Sequence, residues 1–243
     1  MIRLHTLGTV EVRLADGTVQ AEVLAQPKRL AVLLYLAVEP GYHRREKLIR
    51  LFWHDSDDER GRNALNKAVH FLRRHLGEDL ILGRGADELS ASRELLWCDV
   101  TELESPALPV RDLLTIYRGD FADGFPFDGS PELEHWLDGR RAQCRRLAVS
   151  AALRAAEPLS TAGNRLQAIE LLTAARRWDP FDELLVRALM REQSRIGNRA
   201  AAIATYQDLS RRMQQDLEAR PSAETRKLVE LIRQTPPDVP TSI

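Results

Sequence analysis

The sequence predicts an α+β winged helix-turn-helix at the N-terminus followed by an all-α, TPR-like helical repeat domain, mostly α overall. Three observations predict it. Apolar residues alternate from Ile2 to Leu14 and switch to helical spacing after Pro27. The composition shifts at Ser105-Pro106-Ala107-Leu108-Pro109, beyond which the patterns are helical. The segment Gly163-Asn164-Arg165-x-x-Ala168-Ile169 recurs 34 positions later as Gly197-Asn198-Arg199-x-x-Ala202-Ile203, the period of tetratricopeptide repeats. The expected division is 1–104 for the winged helix, 105–235 for the repeat domain and 236–243 for a tail or linker.

In the first domain, Ile2, Leu4, Leu7, Val10, Val12 and Leu14 read as a small antiparallel sheet, with a turn at Ala15-Asp16-Gly17. Pro27 suits a first helical turn, Leu30, Leu33, Leu34 and Ala37 follow at helical spacing, and Pro40-Gly41 stops the run. A second helix is expected over 44–52, with Leu48, Ile49 and Phe52 on its apolar face. Ser56-Asp57-Asp58-Glu59 has the form of a capping box, which makes Ser56 the expected cap of a third helix over 57–76. Its apolar stripe is Leu65, Val69, Leu72 and Leu76, and Asn63, Lys67, His70 and Arg74 occupy the opposite side. A turn at Gly83-Arg84-Gly85 between strand-like pieces that end at Leu95-Leu96-Trp97-Cys98 completes the layout as a β-hairpin wing.

The second domain begins with a loop carrying Phe121, Phe125 and Phe127, expected to pack on the repeat helices. Ser130-Pro131 pairs a cap with a first-turn proline and opens a helix expected to reach about Ala162. Pro158 lies within it, so a kink or break is expected, with the Arg154 carbonyl losing its partner. The final helix should run over 223–233 under a Ser222 cap. So few repeats need their ends covered, either by this helix or by self-association. Pro236, Pro237 and Pro240 look like a linker, leaving room for a further effector domain beyond Ile243.

Composition narrows the function. Hydrophobic residues make up 44% and charged residues 29%, a globular balance. No apolar run approaches the roughly 20 residues that span a bilayer and no signal peptide is recognisable, so a cytoplasmic protein without membrane contact is expected. Cys98 and Cys144 stand outside any paired spacing and read as packing residues. The scattered histidines show no metal-ligand spacing, and the capping box accounts for Asp55, Asp57 and Asp58, so neither metal nor cofactor is expected. Phosphate-binding, nucleophile-elbow, dinucleotide and H-E-x-x-H motifs are missing, which argues against an enzyme. Trp53, Trp97, Trp136 and Trp178 read as core anchors.

A net charge of -1 argues nothing for nucleic acid, but the local distribution does. Between Arg60 and Gly77 there are five Lys or Arg residues and no acid, which concentrates positive potential on the third helix.

Leu51-Phe52-Trp53-His54-Asp55-Ser56-Asp57-Asp58-Glu59-Arg60, Asn63-Ala64-Leu65 and Leu72-Arg73-Arg74-His75-Leu76-Gly77 together resemble the OmpR-type winged helix of bacterial antibiotic regulatory proteins (SARP). Leu114-x-x-Tyr117-Arg118-Gly119-Asp120-Phe121, Phe125-Pro126, Pro131-Glu132-Leu133-Glu134-x-Trp136-Leu137, Asp179-Pro180-Phe181-Asp182-Glu183 and Arg220-Pro221-Ser222-x-Glu224-Thr225 resemble the bacterial transcriptional activator domain that usually follows it. The resemblance implies a DNA-binding transcription regulator, an activator whose third helix enters the major groove of promoter double-stranded DNA. It also implies a wing at the adjacent minor groove or backbone, and a repeat domain that contacts RNA polymerase or forms a homodimer. By position, the DNA-binding residues would be Asn63, Asn66, Lys67, His70, Arg73 and Arg74, with Arg84 at the wing. Related helices often carry histidine where Ala68 stands and arginine where Phe71 stands, so two contacts are expected to be missing. The acidic run Asp55–Glu59 would repel nearby phosphate. The losses at positions 68 and 71 motivate an alternative, a protein-interaction scaffold with a degenerate winged helix that does not bind DNA.

Overall fold

The computed structural model describes residues 1–105, 108–126 and 129–234. By its contacts the chain divides into two compact units, one of Met1–Leu108 with Thr115–Cys144, the other of Pro109–Leu114 with the residues from Arg145 on. We retain 1–104 and 105–235 as a proposed division of the sequence. Compactness groups residues 115–144 with the first unit.

In the first unit, β1 (Ile2–His5) pairs antiparallel with β2 (Glu11–Arg13). The expected sheet gains a strand, because β6 (Leu96–Cys98) returns to pair parallel with β1, giving the order β2-β1-β6. Helix α1 (Ala21–Leu24) is a single turn that the residue pattern did not announce. Helix α2 (Pro27–Val38) has proline in its first turn and buries an unbroken run from Leu30 to Val38. Strand β3 (His43–Arg44) leads into α3 (Arg45–Phe52), which buries Leu48, Ile49, Leu51 and Phe52. Helix α4 (Asp58–Leu76) buries the whole expected stripe, Leu65, Val69, Leu72 and Leu76. Its cap is Asp57, not Ser56. The Asp57 carboxylate accepts from the Arg60 amide at 2.8 Å, and its charge favours the helix N-terminus more than a hydroxyl would.

The wing is β4 (Ile81–Arg84) antiparallel to β5 (Glu88–Ala91), which also pairs with β3. Register places Arg84 opposite Glu88, so Gly83 and Arg84 are strand residues and the reversal follows at Gly85, where φ is +60°. The expected turn lay two residues too early.

Asp99 opens α5 (Asp99–Glu104) and is fully buried. Its carboxylate accepts from the Thr6 amide and hydroxyl and from the Leu7 and Val100 amides, all within 3.0 Å. One side chain thereby ties the end of β1 to α5. Leu7 bridges to Phe121, and the Ala122 amide donates to the Thr6 carbonyl. Phe121 is therefore buried against the N-terminal sheet, and on its other side it meets Trp136 of the helix that opens at Pro131, so the expected helix contact is joined by a sheet contact. Phe127 lies outside the described residues.

Helix α6 is Val110–Ile116, and α7 runs from Pro131 to Thr161 under a Ser130 cap, whose hydroxyl accepts from the Leu133 amide at 3.2 Å. The helix passes Pro158 without breaking. The proline sits in the last turn, where only the carbonyl one turn back loses a donor. In the first unit, Trp136 contacts the rings of Tyr35 and Phe121 and donates to Glu39 at 2.7 Å. Arg140 donates to Glu39 at 2.6 Å, to Glu104 at 2.9 Å and to the Val38 carbonyl. Cys98 and Cys144 are buried free thiols, and burial pushes both up to about 12. They are inert packing residues.

The second unit stacks α8 (Arg165–Ala175), α9 (Glu183–Arg195), α10 (Arg199–Leu217) and α11 (Ala223–Gln234). The internal echo is structural. Gly163 and Gly197 take φ of +83° and +78°, and their amides donate three residues back, to Ser160 and Ser194. Ala168 and Ala202 are then fully buried, small enough for helix pairs to approach. Ala202 forms one core with Val186, Met190, Leu209, Met213, Val229 and Ile232. Ser222 caps α11 as expected and also donates to Glu183 of α9 at 2.6 Å.

Candidate nucleic-acid interface

Helix α3, the turn after Phe52 and helix α4 form the helix-turn-helix. Gly61 lets the two helices touch. A Cβ there would stand 2.5 Å from Ile49 Cγ2, an atom of a β-branched side chain that cannot swing away. No sequence motif pointed to Gly61. A glycine inside a helical pattern was the signal available.

At roughly 100° per residue, the exposed side of α4 centres on Asn63, Lys67, His70 and Arg74, all open to solvent. No hydrogen bond or ion pair holds these four side chains among the described residues. The opposite side is core, and Ala68 belongs to it at 1% exposure. Position 68 is thus no missing DNA contact: a residue there faces the protein interior. Phe71 lies on one edge, half-buried, 4.1 Å from the His75 ring and beneath the Arg29 guanidinium at 4.4 Å.

The other edge faces the wing, and three of the expected site residues there are already engaged. Arg73 is half-buried and donates Nε and a terminal nitrogen to the Ile81 carbonyl at 3.0 and 2.6 Å, tethering α4 to β4. Asn66 accepts from Arg45 at 2.8 Å. Arg84 pairs with Glu88 at 2.5 Å and stacks over Tyr42 at 4.6 Å. The Arg84 hydrogen bond holds the Glu88 carboxyl below its usual range.

Between α3, α4 and the wing turn, two adjoining clefts of about 440 and 410 Å³ share Arg45, Glu46, Ala86 and Asp87 in their linings, with Arg44 and Arg84 on one side and Arg62 on the other. Arg45 Nε is buried with no hydrogen-bond partner among the described residues. Burial, and then the neighbouring Arg73 charge, lower the Arg45 pKa from its ordinary value. Arg44, Arg45 and Arg62 were not among the expected contacts, because only the fold brings α3 beside the wing. The acidic run at the start of α4 is exposed: Asp55 lies 3.0 Å from His54, and Asp57 pairs with Arg60. Among the described residues no cluster of potential metal ligands occurs, and no helix is long and apolar enough to cross a membrane.

The arrangement is a solvent-facing helix with amide and cationic side chains, held from behind by apolar packing and from the side by a wing. Sequence comparison gives the family. Residues 100–233 match the family described as bacterial transcriptional activator domain, and the chain belongs to that family. Among solved structures it is similar to Mycobacterium tuberculosis EmbR in complex with a low-affinity phosphopeptide, at a TM-score of 0.70 and 22% identity. That likeness covers 98% of this chain and 66% of the EmbR chain, and it shows a shared fold. A search of curated proteins returned no match.

Proposed function

We propose that the protein binds duplex DNA sequence-specifically and activates transcription, with α4 docked in the major groove and the β4–β5 hairpin beside the adjacent backbone or minor groove. The observation that carries this reading is the exposed quartet Asn63, Lys67, His70 and Arg74 on a helix that holds no acid between Arg60 and Gly77. Asparagine offers bidentate pairing to adenine, arginine to guanine, and lysine a phosphate contact. Arg73 and Asn66 act differently from their neighbours: they set the position of wing and helix, and Arg84 reaches backbone only by giving up Glu88. The helical unit supplies protein contacts, with RNA polymerase or with a second copy in a homodimer.

The alternative of a scaffold with a degenerate winged helix loses one of its two motives, since Ala68 faces the core. Fluorescence anisotropy of a labelled duplex from upstream of the protein's own gene, titrated at two salt concentrations, tests the proposal. Saturable binding that weakens with salt, and weakens further in Lys67→Ala/Arg74→Ala, supports it. Absence of binding at low salt, to this duplex and to a random duplex library alike, overturns it.

A further inference from the structure

On the helical unit, Glu218 ends α10 in the left-handed region at φ 52° and turns the chain back toward α11. The return leaves an open, solvent-facing cavity of about 410 Å³ between one face of α10 and the start of α11. Tyr206, Ser210 and Gln214 line it at successive helical turns, with Gln207 and Arg211 alongside. Arg220, Pro221 and Arg226 close it, and no carboxylate lines it. In a chain where 36 acids slightly outnumber 35 Lys and Arg, three arginines around one acid-free concavity is a local inversion of charge.

The three arginines differ. Arg211 pairs with Asp208 on its own helix, whereas Arg220 and Arg226 are exposed and have no carboxylate within ion-pair distance among the described residues. They are mounted on a rigid frame. The Ser222 amide and hydroxyl donate to Glu183, and Arg187 donates to the buried Thr225 at 2.9 Å and pairs with Glu224 at 3.2 Å. Glu183 and Glu224 are thus engaged within this frame, outside the cavity lining.

We infer that this cavity is a recognition site for a carboxylate-rich peptide segment of a partner protein, gripped by Arg220 and Arg226. Guanidinium forks pair carboxylates bidentately, and a concave wall strengthens that attraction over one on open surface. Tyr206 and Pro221 add apolar surface for the peptide stem between its charges. A pocket fits side chains inserted one at a time, while duplex DNA presents a convex backbone better met by a ridge. The inference rests on the protein-contact half of the proposed function and is independent of DNA binding.

The test uses the full chain, without DNA, and a fluorescein-labelled octapeptide of alternating Asp and Glu, with its Asn/Gln counterpart as control. Saturable, salt-sensitive binding of the acidic peptide alone is expected. Affinity should fall at least about tenfold in Arg220→Gln/Arg226→Gln and stay unchanged in Lys67→Ala/Arg74→Ala. Circular dichroism checks that the double variant is folded, and Arg226→Gln alone, on an exposed helix face, should show a smaller loss in the same direction. Equal binding by variant and wild type, or by acidic and neutral peptides, overturns the inference. So does a site that takes up inorganic phosphate or duplex DNA through these arginines while ignoring the peptide. None of these results bears on α4, so the DNA-binding proposal would stand or fall separately.

Discussion

The two sides of helix α4 carry the same kinds of residue and put them to different use. On the open face, Asn63, Lys67, His70 and Arg74 have solvent for company. One edge away, Arg73, Asn66 and, across the gap, Arg84 hold the Ile81 carbonyl, Arg45 and Glu88. The family resemblance made all seven candidate DNA contacts, but a donor that already satisfies a part-buried carbonyl is costly to divert. The difference separates residues that would meet DNA from residues that hold the reading helix in place.

Several substitutions sharpen or break that comparison. The largest loss of stability belongs to Asp99→Ala, which leaves buried amides of Thr6, Leu7 and Val100 without their acceptor. It should cost about 3 kcal/mol or more, read by denaturant unfolding. A loss below about 1 kcal/mol would mean that the β1–α5 tie is incidental.

Arg140→Met comes next. Arg140 is 8% exposed and meets Glu39, whose carboxyl is pushed up by burial but brought below its usual range overall by hydrogen bonds from Arg140 and Trp136. A loss of up to about 3 kcal/mol is expected at neutral pH, at the low end for a buried pair because Glu39 keeps some water contact. For a depressed carboxylate, the stability is present above its unfolded pKa and disappears as pH falls through the folded one. The gap between wild type and variant should therefore close in acid, and a gap constant from neutral pH down to pH ~3 would contradict the pairing.

Gly61→Ala should cost roughly 1–3 kcal/mol through the clash with Ile49 and should weaken DNA binding in step, since α3 can no longer seat α4. Full stability in this variant would show that the helices approach less closely than described.

Arg73→Ala and Arg74→Ala form the direct test. The first should lower stability by about 1 kcal/mol, through the lost tether to Ile81, and the second should leave the thermal midpoint unmoved. Loss of Arg74 should reduce the salt dependence of DNA binding by about one charge. If both variants behave alike in thermal melts and in salt titrations, the division of α4 into reading and holding residues is wrong.

Much of the fold was legible in the chain itself. Leu65, Val69, Leu72 and Leu76 announced a buried stripe because helical period and apolarity leave one way to hide four large side chains. The repeated Gly-Asn-Arg segment announced paired helices because positive φ and a small buried residue are demands of backbone geometry. Such constraints are local, so sequence carries them.

Other features depend on what a distant segment brings. The wing turn fell later than its glycines suggested, since it is set by how far β4 and β5 stay paired. Phe121 found the N-terminal sheet through its bridge to Leu7. Ala68 facing the core, Arg73 tied to Ile81, and Arg220 with Arg226 around one cavity are likewise facts of assembly. Periodicity and capping are decided within a few residues and can be read along the chain. The partner of a long polar side chain is decided by which carbonyl, carboxylate or ring tertiary packing places within its reach.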